Sequence, residues 1–290
     1  MHKNMSRQNE QFSLSRFINL LKYDFNTNRL LYILLIPVIM IIIGVLFWSI
    51  FPSYTETIKG QNFQPSWNKD SYYPFLISGY IIFGTFIVGK SFPYFKNKQT
   101  LTTYLTLPAS TLEKFLLQWV LRIIGFLVIY PIVFQLTTNL TVDLYLMVQK
   151  AKLSSIGLPM EKLPTIHKAS LLSFLETSEK SYLILIVTLT ISFLGVSLLF
   201  YLSTIYKQWN IIFGPLTVMA LIFFIILYMM SLSNIVVADQ VKFWDFKLEL
   251  NYPTVFDDLP LILVSTLVIA GAASIACWIA AYFRLKEKEV

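Results

Sequence analysis

The chain has 290 residues, 56% of them hydrophobic and only 13% charged, with a net charge of +7. A soluble domain carries about 25% charged residues, so this chain lacks the polar surface to face water on all sides. One Cys and two His exclude an intramolecular disulfide and a zinc centre built on Cys or a His cluster.

Six apolar stretches predict the fold: Leu30 to Ile50, Phe75 to Phe92, Phe115 to Leu136, Ser181 to Leu202, Ile211 to Leu232 and Pro260 to Phe283. Each approaches the roughly 20 residues that a helix rising 1.5 Å per residue needs to cross a bilayer. The expectation is an all-α polytopic membrane protein with six transmembrane helices. Residues 1–29 form a polar cytoplasmic tail and residues 30–290 the membrane domain. The tail is too polar and too long before its apolar run for a cleaved signal peptide.

Within the tail, Leu14, Phe17, Ile18, Leu21 and Phe25 fall on one helical stripe. This predicts an interfacial amphipathic helix over about Phe12 to Asn28, lying along the headgroups. The second stretch contains GTFIVGKS, Gly84 to Ser91, a letter-for-letter match to a phosphate-binding loop. Such a loop needs an exposed turn with free backbone N–H groups. Here the interior is Thr85, Phe86, Ile87 and Val88, and the match lies inside an expected span. Lys90 is read as snorkelling from the span end. The sequence offers no other nucleotide, metalloprotease or hydrolase motif, so it predicts neither an enzyme nor a bound cofactor.

Between the second and third spans, Lys98 to Leu107 has a short helical pattern with Leu101, Tyr104 and Leu105 on one side. Pro108 ends it by disfavouring helical backbone at Leu107. Ser110 and Glu113 then form a capping-box signature, which starts the third helix near Ser110. Pro131 is expected to kink that helix, while Pro215 sits near the first turn of the fifth. Thr137 to Lys180 is expected to be a 44-residue loop. Small residues in spans four and six, among them Gly195, Ser197, Ala270, Gly271 and Ser274, predict close helix packing. In the connection between the last two spans, the alternation in VKFWDFKLEL, Val241 to Leu250, predicts strand-like or irregular structure.

Thirteen of the 23 Lys and Arg lie in the tails, in the second-to-third connection with its flank and in the fourth-to-fifth connection; nine lie in the longer loops opposite. That density predicts both ends on the cytoplasmic side. The positive charge is that of membrane flanks meeting anionic lipid, and no basic stripe with interleaved aromatics predicts nucleic-acid binding. All sixteen acidic residues lie outside the six stretches, which favours an energy source outside the bundle over an ion-driven carrier. Arg122, about two turns into the third span, is the one charge well inside. It either snorkels or attracts an anion or gates a pathway.

Two segments carry a resemblance: SRFINLLKYDFNTNRLLY before span one, and KNKQTLTTYLTLPASTLEKFLLQWV, Lys96 to Val120. With the six-span architecture, they resemble the permease subunit of an ABC-2-type ATP-binding-cassette exporter. The pairing of L-P-A-S with E-K is its strongest local element. The resemblance covers about 25 residues in motif and nearly the whole chain in architecture. It implies a bacterial cytoplasmic membrane location, separate ATPase subunits as partners and a second permease chain, identical or different. It also implies a coupling helix near Lys96 to Leu107. The residues it implicates in ATPase coupling are Lys96, Lys98, Gln99, Leu101, Tyr104, Leu105, Glu113 and Lys114, with Arg122 in the pathway or gate. Two other classes stand beside it: a stand-alone secondary carrier or channel, and a membrane scaffold or sensor.

Overall fold

A computed structural model of the chain describes residues 12–53, 66–157, 163–171, 179–206, 209–236 and 261–288. Among these residues the fold is almost entirely helical. The helices are α1 (Leu14–Thr27), α2 (Arg29–Ile50), α3 (Tyr73–Val88), α4 (Lys98–Leu105), α5 (Thr111–Trp119), α6 (Gly125–Ile156), α7 (Glu179–Tyr206), α8 (Asn210–Val236) and α9 (Leu261–Glu287). Two-residue strands β1 (Ser66–Trp67) and β2 (Thr165–Ile166) pair in parallel, Ser66 opposite Thr165. Among the described residues, five helical segments are long and apolar enough to cross a membrane: Arg29–Ile50, Lys69–Val88, Thr111–Ile156, Leu189–Tyr206 and Leu267–Glu287. The chain is therefore an all-α polytopic membrane protein. α8, at 27 residues, is a further long helix. Val241 to Leu250 lies outside the described residues.

The chain divides into two compact units. One comprises Ile18–Phe83 and Ile124–Tyr182, the other Met1–Phe17, Gly84–Ile123 and Leu183–Val290.

In the unit that holds α2, α3 and α6, aromatic packing centres on Phe47, which is fully buried. Phe51, Tyr72, Phe75 and Phe134 surround it with ring centroids 5.2–5.8 Å away. α2 and α6 face each other at Gly44, where a Cβ would make an ordinary van der Waals contact with Thr141 Oγ1 at 3.5 Å. Pro131 sits within α6 and has no N–H for the carbonyl of Leu127. The Tyr80 hydroxyl donates to that carbonyl at 3.3 Å instead.

The third span is longer than expected. The helical segment Thr111–Ile156 has 46 residues, so the first part of the expected loop Thr137 to Lys180 is helix. Thr137, Thr138 and Asn139 end the apolar run but not the helix. Beyond them Val142, Tyr145, Gln149 and Leu153 are buried along one face. Gly157, at φ +72°, makes the stop. The rest of the described loop docks back on α6: the Asn139 side chain exchanges two hydrogen bonds with Ala169, at 3.1 and 2.8 Å. The Tyr145 hydroxyl donates to the Phe51 carbonyl at 3.1 Å, and Tyr72 to the carbonyl of His167 at 2.8 Å.

In the other unit, α5 packs against α7 and α9 through rings. Phe115 meets Phe200 and Tyr282, and Trp278 meets both Trp119 and Phe193, at 5.1–5.8 Å. Of the small residues expected at helix contacts, Ser197, Ala270 and Ser274 are buried, while Ala272 and Ala276 face outward. Asn210, fully buried at the start of α8, donates to the carbonyls of Gly89 and Leu199, each at 3.0 Å.

Candidate functional site

The polar segment between α3 and α5 is a folded unit. α3 ends at Val88 rather than Phe92. A Cβ at Gly89 would collide with the backbone carbonyl of Thr85, so the turn there takes glycine. GTFIVGKS is therefore helix through Val88, and the N–H groups of Gly89 and Ser91 are bonded to Thr85 and Val88 carbonyls at 2.9 Å. Those amides point into the chain's own backbone.

Phe92 follows in the left-handed region, at φ 55°. For a residue with a Cβ that conformation costs about 1–2 kcal/mol. Its surroundings hold it there. The ring is buried between Phe95 and Phe200, each at 5.2 Å. Pro93 opens a 3-10 turn, Pro93–Lys96. The Lys288 ammonium sits 4.0 Å over the Phe95 ring and donates to the carbonyl of Thr204 at the end of α7.

α4 is the short helix expected over Lys98 to Leu107, and it ends at Leu105. Tyr104 does not face outward. It is 1% exposed and stacks on Tyr94 at 4.4 Å with an interplanar angle of 8°. Tyr104, which the resemblance implicates in ATPase coupling, is thus buried within the chain itself. The apolar stripe exists, but it turns inward: Leu101 and Leu105 are half-buried, while Lys98, Gln99, Thr102 and Thr103 are exposed. Lys96 closes the preceding 3-10 turn. Lys114, 1% exposed, donates to the carbonyl of Leu105 at 2.8 Å. A cation there satisfies the last carbonyl of α4 and the negative end of its dipole.

The capping box at Ser110 and Glu113 is formed. Ser110 Oγ accepts from the Glu113 N–H at 3.2 Å, and Glu113 Oε2 accepts from the Ser110 N–H at 2.9 Å. The other carboxylate oxygen of this fully buried Glu reaches α1: Oε1 accepts from the Ser13 backbone N–H at 2.6 Å and from Arg16 Nη2 at 3.1 Å. Three donors on one carboxylate make Glu113 the joint between the tail helix and the start of α5.

α1 itself matches the expected amphipathic helix. Leu14, Ile18 and Phe25 are exposed, while Leu20 and Asp24 are buried. It is separated from α2 only by Asn28. Asp24 accepts from Asn28 and from the Tyr32 hydroxyl.

Arg122 lies in a π-helical turn, Val120–Ile124, and is 1% exposed. A snorkelling side chain reaches water; this one is enclosed by protein. Single π turns inside helices are frequent at functional sites.

The structure thus joins Tyr104, Glu113 and Lys114, leaves Lys98 and Gln99 on the surface, and sets Arg122 apart in its own turn. The sequence reading missed Ser13, Arg16, Tyr94, Phe92, Gln118 and Lys288. Gln118 Oε1 accepts the Phe92 N–H at 3.4 Å. Among the described residues no three His, Cys, Asp or Glu come together as a metal ion requires. Comparison with family models, with curated proteins and with solved structures returns no match.

Proposed function

We propose that the chain is the membrane-spanning permease subunit of an ABC-2-type ATP-binding-cassette exporter. It has six spans, both ends in the cytoplasm, and works with a second permease chain and two separate ATPase subunits. One observation carries the reading: the segment from Pro93 to Glu113 is a pinned platform with an exposed polar helix face. Its buried members are held by the tail helix through Glu113, by α5 through Lys114, and by the ends of α7 and α9 through Lys288. A platform rigid against the bundle transmits a push from a docked ATPase; a floppy loop does not.

The pattern of helix ends supports six crossings. Within one unit, side-chain bonds join the start of α1 to the start of α5, and join the turn after α3, the later part of α7, the start of α8 and the end of α9 to one another. α8 leaves that end and α9 returns to it, as a fifth and a sixth span would. Within the other unit, the connections after α2 and α6 meet each other through β1 and β2. These are the groupings expected of cytoplasmic and external connections.

The docking face on this reading is Lys98, Gln99, Thr102 and Thr103, with the edges of Leu101 and Leu105. An ATP-binding-cassette ATPase, if one is encoded beside this chain, is coexpressed and copurified, and its activity measured; the lack of any such neighbour counts against the assignment. Thr103→Asp with Gln99→Asp is expected to release the ATPase or abolish its stimulation, with the permease still folded. A normal complex with normal ATP turnover in that variant defeats the assignment.

The buried Arg122 favours a second reading, a stand-alone anion carrier or channel. Anion flux through the purified chain in vesicles without any ATPase, lost in Arg122→Gln, selects that reading over the first.

A further inference from the structure

The surface of α5 and α9 holds a groove of about 350 Å³. Leu112 and Phe115 line it from α5, and Trp278, Ile279, Tyr282 and Phe283 from α9. Almost none of its lining is polar. Small-molecule sites of this size ordinarily place several polar groups to orient their ligand; this one has only hydrocarbon and ring faces, so its occupant there is hydrocarbon. The groove runs along the last turns of an apolar helix that spans the bilayer, which brings acyl chains to it at high local concentration.

The helix that forms one wall of the groove carries exposed cations just beyond it. Lys286 is exposed and lies four residues after Tyr282 and three after Phe283, on the same helical face one turn further out. Arg284 is exposed beside it and is paired with Glu287 at 2.8 Å. Such a surface pair contributes little and exchanges readily. Lys288 is engaged with Thr204 and Phe95. That leaves Lys286 as the exposed cation of the last turn of α9 on the groove side, its Cα about one pitch of 5.4 Å beyond that of Tyr282 along the helix. The depth order is therefore apolar slot, phenol, ammonium, which is the order of acyl chain, glycerol ester and phosphate in a phospholipid.

We propose that this groove binds the acyl chain of an anionic phospholipid of the leaflet in which α9 ends, with its phosphate on Lys286. The proposal rests on the chain spanning a bilayer and is independent of the exporter reading. A headgroup with net negative charge is favoured because the phosphate of a zwitterionic lipid brings its own cation to the same place.

Trp278 on the groove wall reports occupancy. The full chain is reconstituted in nanodiscs containing brominated-chain phosphatidylglycerol or brominated-chain phosphatidylcholine at equal mole fraction. The Trp278 component of fluorescence is taken as the difference between wild type and Trp278→Phe. Quenching of that component is expected to be at least twofold greater with the glycerol lipid, and Lys286→Glu is expected to bring the ratio to one. Lys286 is exposed, so the variant leaves the fold intact, and the emission of the remaining Trp residues checks this. Equal quenching by the two lipids, or a ratio that survives Lys286→Glu, overturns the proposal. So does a Trp278 component that neither lipid quenches, because the groove is then covered by protein.

Discussion

Tyr80 supplies, from α3 and at 3.3 Å, the hydrogen bond to the Leu127 carbonyl that Pro131 is unable to make. In an apolar interior the orphaned carbonyl has no water to turn to, and an unmet buried acceptor costs about 1–3 kcal/mol. Tyr80→Phe is therefore expected to destabilise the protein on that scale in a detergent thermal melt. Pro131→Ala restores the helical N–H. In that background, Tyr80→Phe is expected to cost little. Equal costs in the two backgrounds mean that the tyrosine contributes packing only.

Gly79 and Tyr130 give a second test in the same unit. A Cβ at position 79 falls on the Tyr130 hydroxyl and within 2.7 Å of its Cζ. Tyr130 is buried and donates to the Leu76 carbonyl at 3.2 Å, so it has no easy escape. Gly79→Ala is expected to cost about 1–3 kcal/mol, as overpacking does. Tyr130→Phe should recover part of that loss, because it removes the colliding oxygen. A neutral Gly79→Ala shows that α3 shifts to accommodate the methyl group.

The Glu113 joint predicts coupling between distant positions. Arg16 is 27% exposed at its side chain while Glu113 is fully buried, so the carboxylate suffers more from separation than the guanidinium. Glu113→Ala loses a cap, about 0.5–2 kcal/mol, and leaves the Ser110 and Ser13 amides unmet. Arg16→Ala is expected to cost less. The two are expected to be non-additive in a double-mutant cycle by about 1 kcal/mol. Trypsin cleavage at Arg16 and Lys22 should accelerate in Glu113→Ala, because the start of α1 is no longer held. Additive costs and unchanged cleavage dismiss the joint.

The topology is tested with single cysteines in a Cys277→Ser background. Thr103 on α4 and Thr165 on β2 are both exposed. An impermeant maleimide added to intact cells should label position 165 and reach position 103 only after permeabilisation. The reverse pattern inverts the orientation, and labelling of both from outside breaks the six-span arrangement.

How far the sequence could be read varied with the range of the interaction. The capping box was legible because Ser110 and Glu113 are three residues apart and the rule is local. The tie from that same carboxylate to Ser13 and Arg16 was not, since nothing in a helical pattern marks a partner 97 positions away. The stripe of Leu101, Tyr104 and Leu105 was read correctly as one face, but periodicity carries no direction. The face turned toward Tyr94 instead of outward. The end of the third span was misplaced because Thr137 and Asn139 interrupt hydropathy without interrupting helix. Only Gly157, with its left-handed backbone, marks the true stop. Arg122 stands out in the sequence as the one charge well inside a span, but the π turn in which it lies has no sequence signature.

The Ser13 contact is made by a main-chain amide. Every replacement of that residue except proline keeps the donor, so a side-chain scan across the tail will score Ser13 as silent and Arg16 as sensitive, mapping half of the joint. Ser13→Pro, or a truncation that removes residue 13, deletes the other half. A tail that tolerates every alanine substitution but fails on either change is held by its backbone.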